Sequence, residues 1–320
     1  MSQIPIQPLS VGNVVSSALV LYRSHLKSYL GVAFQVTLWT LIPSFAQLAI
    51  GQIQGKINEG VALLIGIAWL VLDFYCVAKA YTNSALIARL AFGELISQPE
   101  TVNSASDSLN SRMWKFLWSK FLVGLLLTLG FIGIYIAFLL SVLLLTSLST
   151  VIARSVSSSY PILAVIVYLI SDLLDIAVFV GFLAGILWFI ARFFITELPL
   201  AVESNVGITR TIGRSWELTK GSAFRIVLIL SVAGLIVTPF LTIALIPIAF
   251  IFPSFQQIVS SPEEYIRSLT PMFTVAALLI TIANTFLIPF WQTIKAVVYY
   301  DLRSRKEGLD LQLRDRPLEM

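Results

Sequence analysis

Phe121–Leu145 reads FLVGLLLTLGFIGIYIAFLLSVLLL, a run without one charged side chain. A helix rising about 1.5 Å per residue crosses the roughly 30 Å hydrocarbon layer in about 20 residues. This block is long enough to do so. Five others match it in kind: Tyr29–Ile50, Val61–Ala80, Leu173–Ile195, Ile226–Phe250 and Phe273–Tyr300. Short polar links around Gly51–Gly60, Ser147–Ser159 and Pro253–Pro271 pair them as three hairpins. The predicted fold is an all-α integral membrane protein of six transmembrane helices. The third and fourth blocks belong to apolar runs longer than one crossing needs, so they are expected to tilt or project.

Composition agrees. Apolar residues fill 58% of the 320 positions, charged residues 12%, and the mean hydropathy is +0.90. A soluble domain carries about 25% charge. One cysteine, Cys76, and one histidine, His25, exclude an internal disulfide and a zinc site of the usual nitrogen and sulfur type. Cys76 reads as an inert packed thiol, and His25 as an ordinary interfacial side chain beside Arg23 and Lys27. No Ser-His-Asp set, Gly-rich phosphate loop or HExxH motif is present, so the chain is expected to be non-catalytic and to need no cofactor. No soluble segment presents a basic stripe to nucleic acid. The opening MSQIPIQPLS lacks the form of a cleavable signal, so the first apolar block is expected to act as an uncleaved anchor.

Charge sets the orientation. One set of flanking segments carries sixteen Lys and Arg, among them Arg89, Lys120, Arg214, Arg225 and Arg303. The opposite set carries only Lys56, Arg154 and Arg267. By the positive-inside rule both termini are expected in the cytoplasm.

A repeat underlies the pattern. Ile87-Ala88-Arg89, Glu94-Leu95 and Glu100 recur, 103 positions later, as Ile190-Ala191-Arg192, Glu197-Leu198 and Glu203. A polar cap, Asn103 or Asn205, is expected to follow each, and then an amphipathic helix with Ala105, Leu109 and Met113, or Ile208, Ile212 and Trp216, on its apolar face. At the N-terminus Ser10 can cap a helix with Val11, Val14, Val15, Ala18, Tyr22, Leu26, Tyr29 and Leu30 on one face. The predicted organisation is one six-span domain over residues 1–300 with pseudo-repeats 8–95, 101–198 and 204–300, and a cytoplasmic tail over 301–320. Each hairpin is preceded by an amphipathic helix, lying in the headgroup plane as a collar or packed on protein as an extension of the spans.

The candidate polar residues fall into three groups. Asp172 and Asp175 share a helical face and can bind a cation or relay protons, or lie hydrated at the outer mouth of the fourth span. Asn284 is the candidate for an interhelical hydrogen bond in the sixth span. Arg89, Glu94 and Glu100, with their repeats Arg192, Glu197 and Glu203, form an ionic site at the cytoplasmic surface, or the first two of each end the span and the second Glu supports the start of the next helix. Asp73 and Lys79 lie on different faces of the second span, and Arg192 and Lys295 are placed to snorkel to headgroups. Pro239, Pro247 and Pro289 are expected to kink the last hairpin.

The segments PLSVGNVVSSALVLYRSHLKSYL, RFFITELPLAVESNVGITRTIGRSWELTKGSAFRI and YYDLRSRKEGLDLQL resemble the family named for the membrane domain of glycerophosphoryl diester phosphodiesterase, in particular its stand-alone, cyanobacterial-type members. The resemblance implies this fold in a bacterial plasma membrane or thylakoid. It implies no hydrolase activity, since the catalytic barrel of such enzymes is a separate domain of about 250 residues. The expected role is a membrane scaffold or regulator linked to envelope or lipid processes, with the bilayer and other membrane proteins as partners. The alternative is a small-solute or ion transporter.

Overall fold

The structure, a computed structural model, describes residues 9–53, 56–203, 206–251 and 262–309. No strand occurs among them. The helices are α1 Val11–Ser24, α2 Leu26–Ile53, α3 Glu59–Leu95, α4 Val102–Asn110, α5 Met113–Ser157, α6 Pro161–Phe193, α7 Glu197–Val202, α8 Ile208–Thr219, α9 Ala223–Ile251 and α10 Pro262–Glu307. Six of them, α2, α3, α5, α6, α9 and α10, are long and apolar enough to cross a membrane. The chain is an all-α integral membrane protein, as predicted. The tightest helix pairs are α5 with α6 and α2 with α3, and α10 packs on α9 and also on α3, α1 and α2.

The helices run further than the apolar blocks. The stretch Ser147–Ser159 was expected as a polar link, yet α5 stays helical to Ser157. Its hydroxyls return to the helix instead of to water: Thr146 donates to the Val142 carbonyl at 2.9 Å and Thr150 to that of Thr146 at 2.7 Å. The chain turns only at 158–160, and Pro161 opens α6. The 45 residues of α5 therefore make a rod of about 68 Å, twice the hydrocarbon thickness. In the last hairpin, residues 252–261 lie outside the described set, while 262–271 are already helix. α9 is helical through Pro239 and Pro247, and α10 through Pro289. The domain boundary drawn after residue 300 falls inside α10, where Asp301 and Leu302 are buried.

The packed core sits at one end. In α3 every buried residue lies at or beyond Cys76, and in α10 the buried run extends from Leu287 to Leu302. Tyr29, Leu86, Ile195, Leu198, Ile294 and Tyr299 are among its largest fully buried side chains. At the other end Leu63, Leu64, Val71, Leu143, Leu144, Val151, Ile162 and Leu169 stand exposed. Such a surface suits lipid, which needs no hydrogen-bonding groups from it. α5 and α6 approach closely at Gly130, where a Cβ would collide with the Phe189 ring.

Two of the three short helices use their predicted faces, but on protein. Val14, Val15 and Ala18 of α1 and Ala105 and Leu109 of α4 are buried. α8 is a correction. Its buried face is Thr211, Ser215, Leu218 and Thr219, while Ile208 and Ile212 are half-buried and Trp216 is exposed. The cause is the end of α6, whose last carbonyls lack helical partners. Ser215 donates to the Arg192 carbonyl at 2.9 Å and Thr219 lies 3.4 Å from the same oxygen. Ser10 caps α1 through the Asn13 amide as expected. Thr101, not Asn103, caps α4, and Asn205 lies outside the described residues.

Three helices end through left-handed residues. Gly221 (φ 80°) follows α8 and Gly308 (φ 63°) follows α10, the arrangement glycine permits at no steric cost. After α3 the position is taken by Ser97 (φ 57°), and the Gln98 amide reaches back to the Gly93 carbonyl at 2.8 Å. A Cβ on Gly93 would lie 2.8 Å from the Gln98 carbonyl oxygen, so this turn tolerates no side chain there. Relief of the left-handed cost predicts that Ser97→Gly stabilises the protein by about 1 kcal/mol. Thermal unfolding in detergent should show a raised midpoint for Ser97→Gly and a lowered one for Gly93→Val; the reverse order would refute this account of the turn.

Candidate functional site

Each hairpin is closed at its base by one acid–base pair, an acid at the end of its second span and a base at the start of its first. In the first hairpin His25 Nε2 meets Glu94 Oε1 at 3.3 Å. In the second Lys120 meets Glu197. In the third Arg225 Nη1 meets Asp301 Oδ2 at 2.5 Å. The closures differ in depth: His25 and Glu94 are each about one-third exposed, whereas the carboxylates of Glu197 and Asp301 are buried.

The second closure is also the hub between units. Lys295, from α10, reaches the other oxygen of Glu197 at 2.5 Å, so one carboxylate holds two ammonium groups from two hairpins. α7 carries that carboxylate in its first turn, and the segment around it is fully buried at Ile195, Leu198, Leu200 and Ala201. The first unit bonds to the same segment, Arg89 donating to the Ala201 carbonyl at 2.9 Å, and within the second unit Arg112 donates to that of Glu203 at 3.1 Å. The Glu203 carboxylate accepts from Tyr299 Oη at 2.5 Å and Arg214 Nε at 3.1 Å. Asp301 plays the same part in the third unit: it accepts the Leu9 amide at 3.2 Å and Arg305 Nε at 3.0 Å, while Arg225 and Arg305 both donate to the Leu9 carbonyl.

The predicted residues divide sharply. Arg89 grips Glu100 through two nitrogens, at 3.0 and 3.1 Å, a bidentate geometry. Glu94 and Glu197 are the closures described. Arg192 departs from its repeat partner: it does not pair with Glu203, and it does not snorkel. It is 5% exposed, with its guanidinium 4.0 Å from the Trp216 ring centre and 5.4 Å from that of Trp188. Lys295, also expected to snorkel, turns inward to Glu197. His25 is a hairpin closure, not a free interfacial side chain. Lys79 donates to Asn110 Oδ1 at 3.0 Å, away from Asp73. Cys76 is a buried, free thiol.

Asp172 and Asp175 do not start their helix, because α6 begins at Pro161. They lie roughly 30 Å along α6 from its far end at Phe193, about one hydrocarbon thickness from the closures. Asp172 is exposed; Asp175 is half-buried with Oδ1 unpartnered. Asn284 lies on an exposed face of α10, and its neighbour Thr285 makes the interhelical bond instead, 2.6 Å from Thr37 Oγ1. α6 packs on α5, α9 and α8, and α10 on α3, α1, α9 and α2, so these three residues do not converge. Sequence reasoning did not single out Lys120, Asp301 and Tyr299, while Glu203 stood in the repeat motif without its partners. The readable signal was a base near the start of each hairpin's first helix matched by an acid near the end of its second. Arg89, Arg192 and Lys295 themselves recur at the same interval of 103 positions.

Chemically the arrangement joins helices. Among the described residues no three His, Cys, Asp or Glu side chains gather as a metal site would require. The chain belongs to the family described as protein of unknown function (DUF975), whose model matches residues 19–306. No curated protein and no solved structure matched. The resemblance to the phosphodiesterase membrane domain has no support in these findings.

Removing the charge of Glu197 leaves two half-buried ammonium groups facing a buried neutral amide. Breaking a buried pair from one side costs about 3–5 kcal/mol. Glu197→Gln should lower the detergent unfolding midpoint far more than Glu94→Gln, whose pair is partly hydrated and worth about 1 kcal/mol or less. Equal effects of the two would show that burial does not grade the closures.

Proposed function

We propose that this protein is a non-catalytic membrane scaffold or regulator serving envelope or lipid processes. One observation supports the reading above others: Glu94, Glu197, Glu203 and Asp301, near the base of the bundle, hold bases drawn from all three hairpins. Fixing three hairpins in one register makes a rigid platform from which the apolar ends extend into lipid. A carrier needs polar groups gathered along a path, typically near mid-membrane at broken helices. Asp172 on α6 and Asn284 on α10 both lie on exposed faces, which argues against the transporter alternative. The bilayer and other membrane proteins are the partners this role requires.

The host membrane is the bacterial plasma membrane, or a thylakoid, with both termini cytoplasmic. This placement rests on the sixteen basic residues on one side against three on the other. It also fits the three closures, which cluster where those basic residues lie.

Two measurements test these readings. A strain lacking the protein should show altered lipids or envelope defects. The double variant Asp172→Asn with Asp175→Asn should restore it fully, whereas Glu197→Gln should not. Restoration failing only in the aspartate variant, together with a lost solute flux, would instead establish transport. For topology, Cys76→Ala gives a cysteine-free background. There Ser158→Cys should react with an impermeant maleimide on intact spheroplasts, and Ser111→Cys only after permeabilisation. The opposite pattern would invert the protein.

A further inference from the structure

The repeat leaves one cation without its acid. Arg89 holds Glu100, and Lys295 holds Glu197, but Arg192 meets no carboxylate among the described residues, because Glu203 is taken by Arg214 and Tyr299. Its only side-chain hydrogen bond is from Nη1 to Thr219 Oγ1 at 3.3 Å. Nε is buried with no acceptor. A buried guanidinium with unused donors carries a desolvation cost that two aromatic rings offset only in part.

Its surroundings carry more positive charge. Lys306 lies within electrostatic range of Arg192 and Lys220, with Glu217 the carboxylate in range. Lys306 itself is tied to the carbonyls of Glu217 and Lys220 at 2.7 and 2.8 Å, which holds its charge at this corner. The two rings beside Arg192 stand edge-to-face, 5.8 Å between centres, and are partly open: Trp188 is 46% exposed and Trp216 36%. Tryptophan at a wet end of a spanning helix is suited to the headgroup level, where one part is apolar and the other hydrated. α6 faces outward, with none of its most apolar stretch buried.

We propose that the corner between α6 and α8 binds the phosphate of an anionic membrane phospholipid. Arg192 supplies the charge-assisted donors, Lys306 and Lys220 the surrounding potential, and Trp188 and Trp216 the walls against which the glycerol and upper acyl chains lie. A planar guanidinium suits a phosphate, which can accept two parallel bonds from it. Trp216 is left exposed at this corner while the hydroxyl face of α8 packs on protein. The inference does not depend on the scaffold reading, since a transporter can carry the same lipid site.

The test is native mass spectrometry of the full chain in mild detergent, titrated with phosphatidylglycerol and, separately, with phosphatidylcholine. Wild type should retain phosphatidylglycerol preferentially, and Arg192→Gln should bind it about ten-fold more weakly, the effect of losing a charge-assisted hydrogen bond. Equal retention by wild type and Arg192→Gln, or equal binding of the two lipids, would overturn the proposal. A second readout is independent of whether Arg192→Gln folds. Brominated phosphatidylglycerol should quench wild-type tryptophan fluorescence more than brominated phosphatidylcholine, and Trp188→Phe with Trp216→Phe should abolish the difference. No difference between the lipids in wild type would also overturn it. A third arm offers inorganic phosphate: thermal stabilisation matching that by phosphatidylglycerol would show a free-anion site and reject the lipid.

Discussion

A carboxylate taken out of water must be matched at once, and Glu197 is matched twice. Moving such a group into a low-dielectric interior carries an effective penalty of several kcal/mol even after relaxation. Lys120 and Lys295 offset it only when both side chains arrive together, and they come from different hairpins. The second and third hairpins are thereby fixed in register. Lipid cannot do this, since hydrocarbon is as apolar as the leucines that face it and gives helices no hydrophobic reason to associate. The ionic contacts at the base are the directional element in a molecule whose other surfaces are mostly unspecific.

The same logic explains where the core lies. Tyr29, Leu198, Ile294 and Tyr299 are fully buried beside these pairs, while the far halves of α3, α5 and α6 keep their leucines and valines outward. Burial follows the polar contacts because those contacts draw the helices together. Further along, the bilayer itself covers the apolar residues and tight helix packing adds little. The exception is the α5–α6 pair, where Gly130 lets the Phe189 ring approach and aromatic rings follow one another along the hairpin, as in Phe138 with Phe182, 4.6 Å between centres.

How much of this was legible in the sequence depended on scale. Six spans and three hairpins follow from block length and charge count alone, signals summed over many residues. Single-residue geometry did not follow. The end of α5 was misjudged because serine and threonine look polar in a sequence, yet satisfy themselves on the preceding turn. The face of α8 was misjudged for a related reason: its hydroxyls serve the unfinished carbonyls of α6, a demand invisible from α8 itself. Asn284 was chosen over Thr285 on polarity, although one position around a helix separates an exposed face from a packed one. Glu94 and Glu197 were legible as a motif, and their partners His25 and Lys120 were not, because the pairing spans a whole hairpin.

The repeat is most informative where it fails. Three similar units could be joined by three similar contacts, yet only the middle acid is held by bases from two hairpins, and among the described residues only the middle arginine of the repeat lacks an acid. The two facts are linked. In the first unit α3 stays helical through Glu94 to Leu95, so Arg89 and Glu100 meet across the turn that follows. In the second unit the helix breaks at 194–196 and restarts as α7, which carries Glu197 inward and moves Glu203 toward Tyr299 and Arg214. Arg192 stays behind at the end of α6, between Trp188 and Trp216. A break of three residues thus turns a structural arginine into one with donors to spare, and it does so at a corner with open aromatic faces. Divergence between repeats made that corner different from its counterpart without disturbing the closures that hold the bundle together.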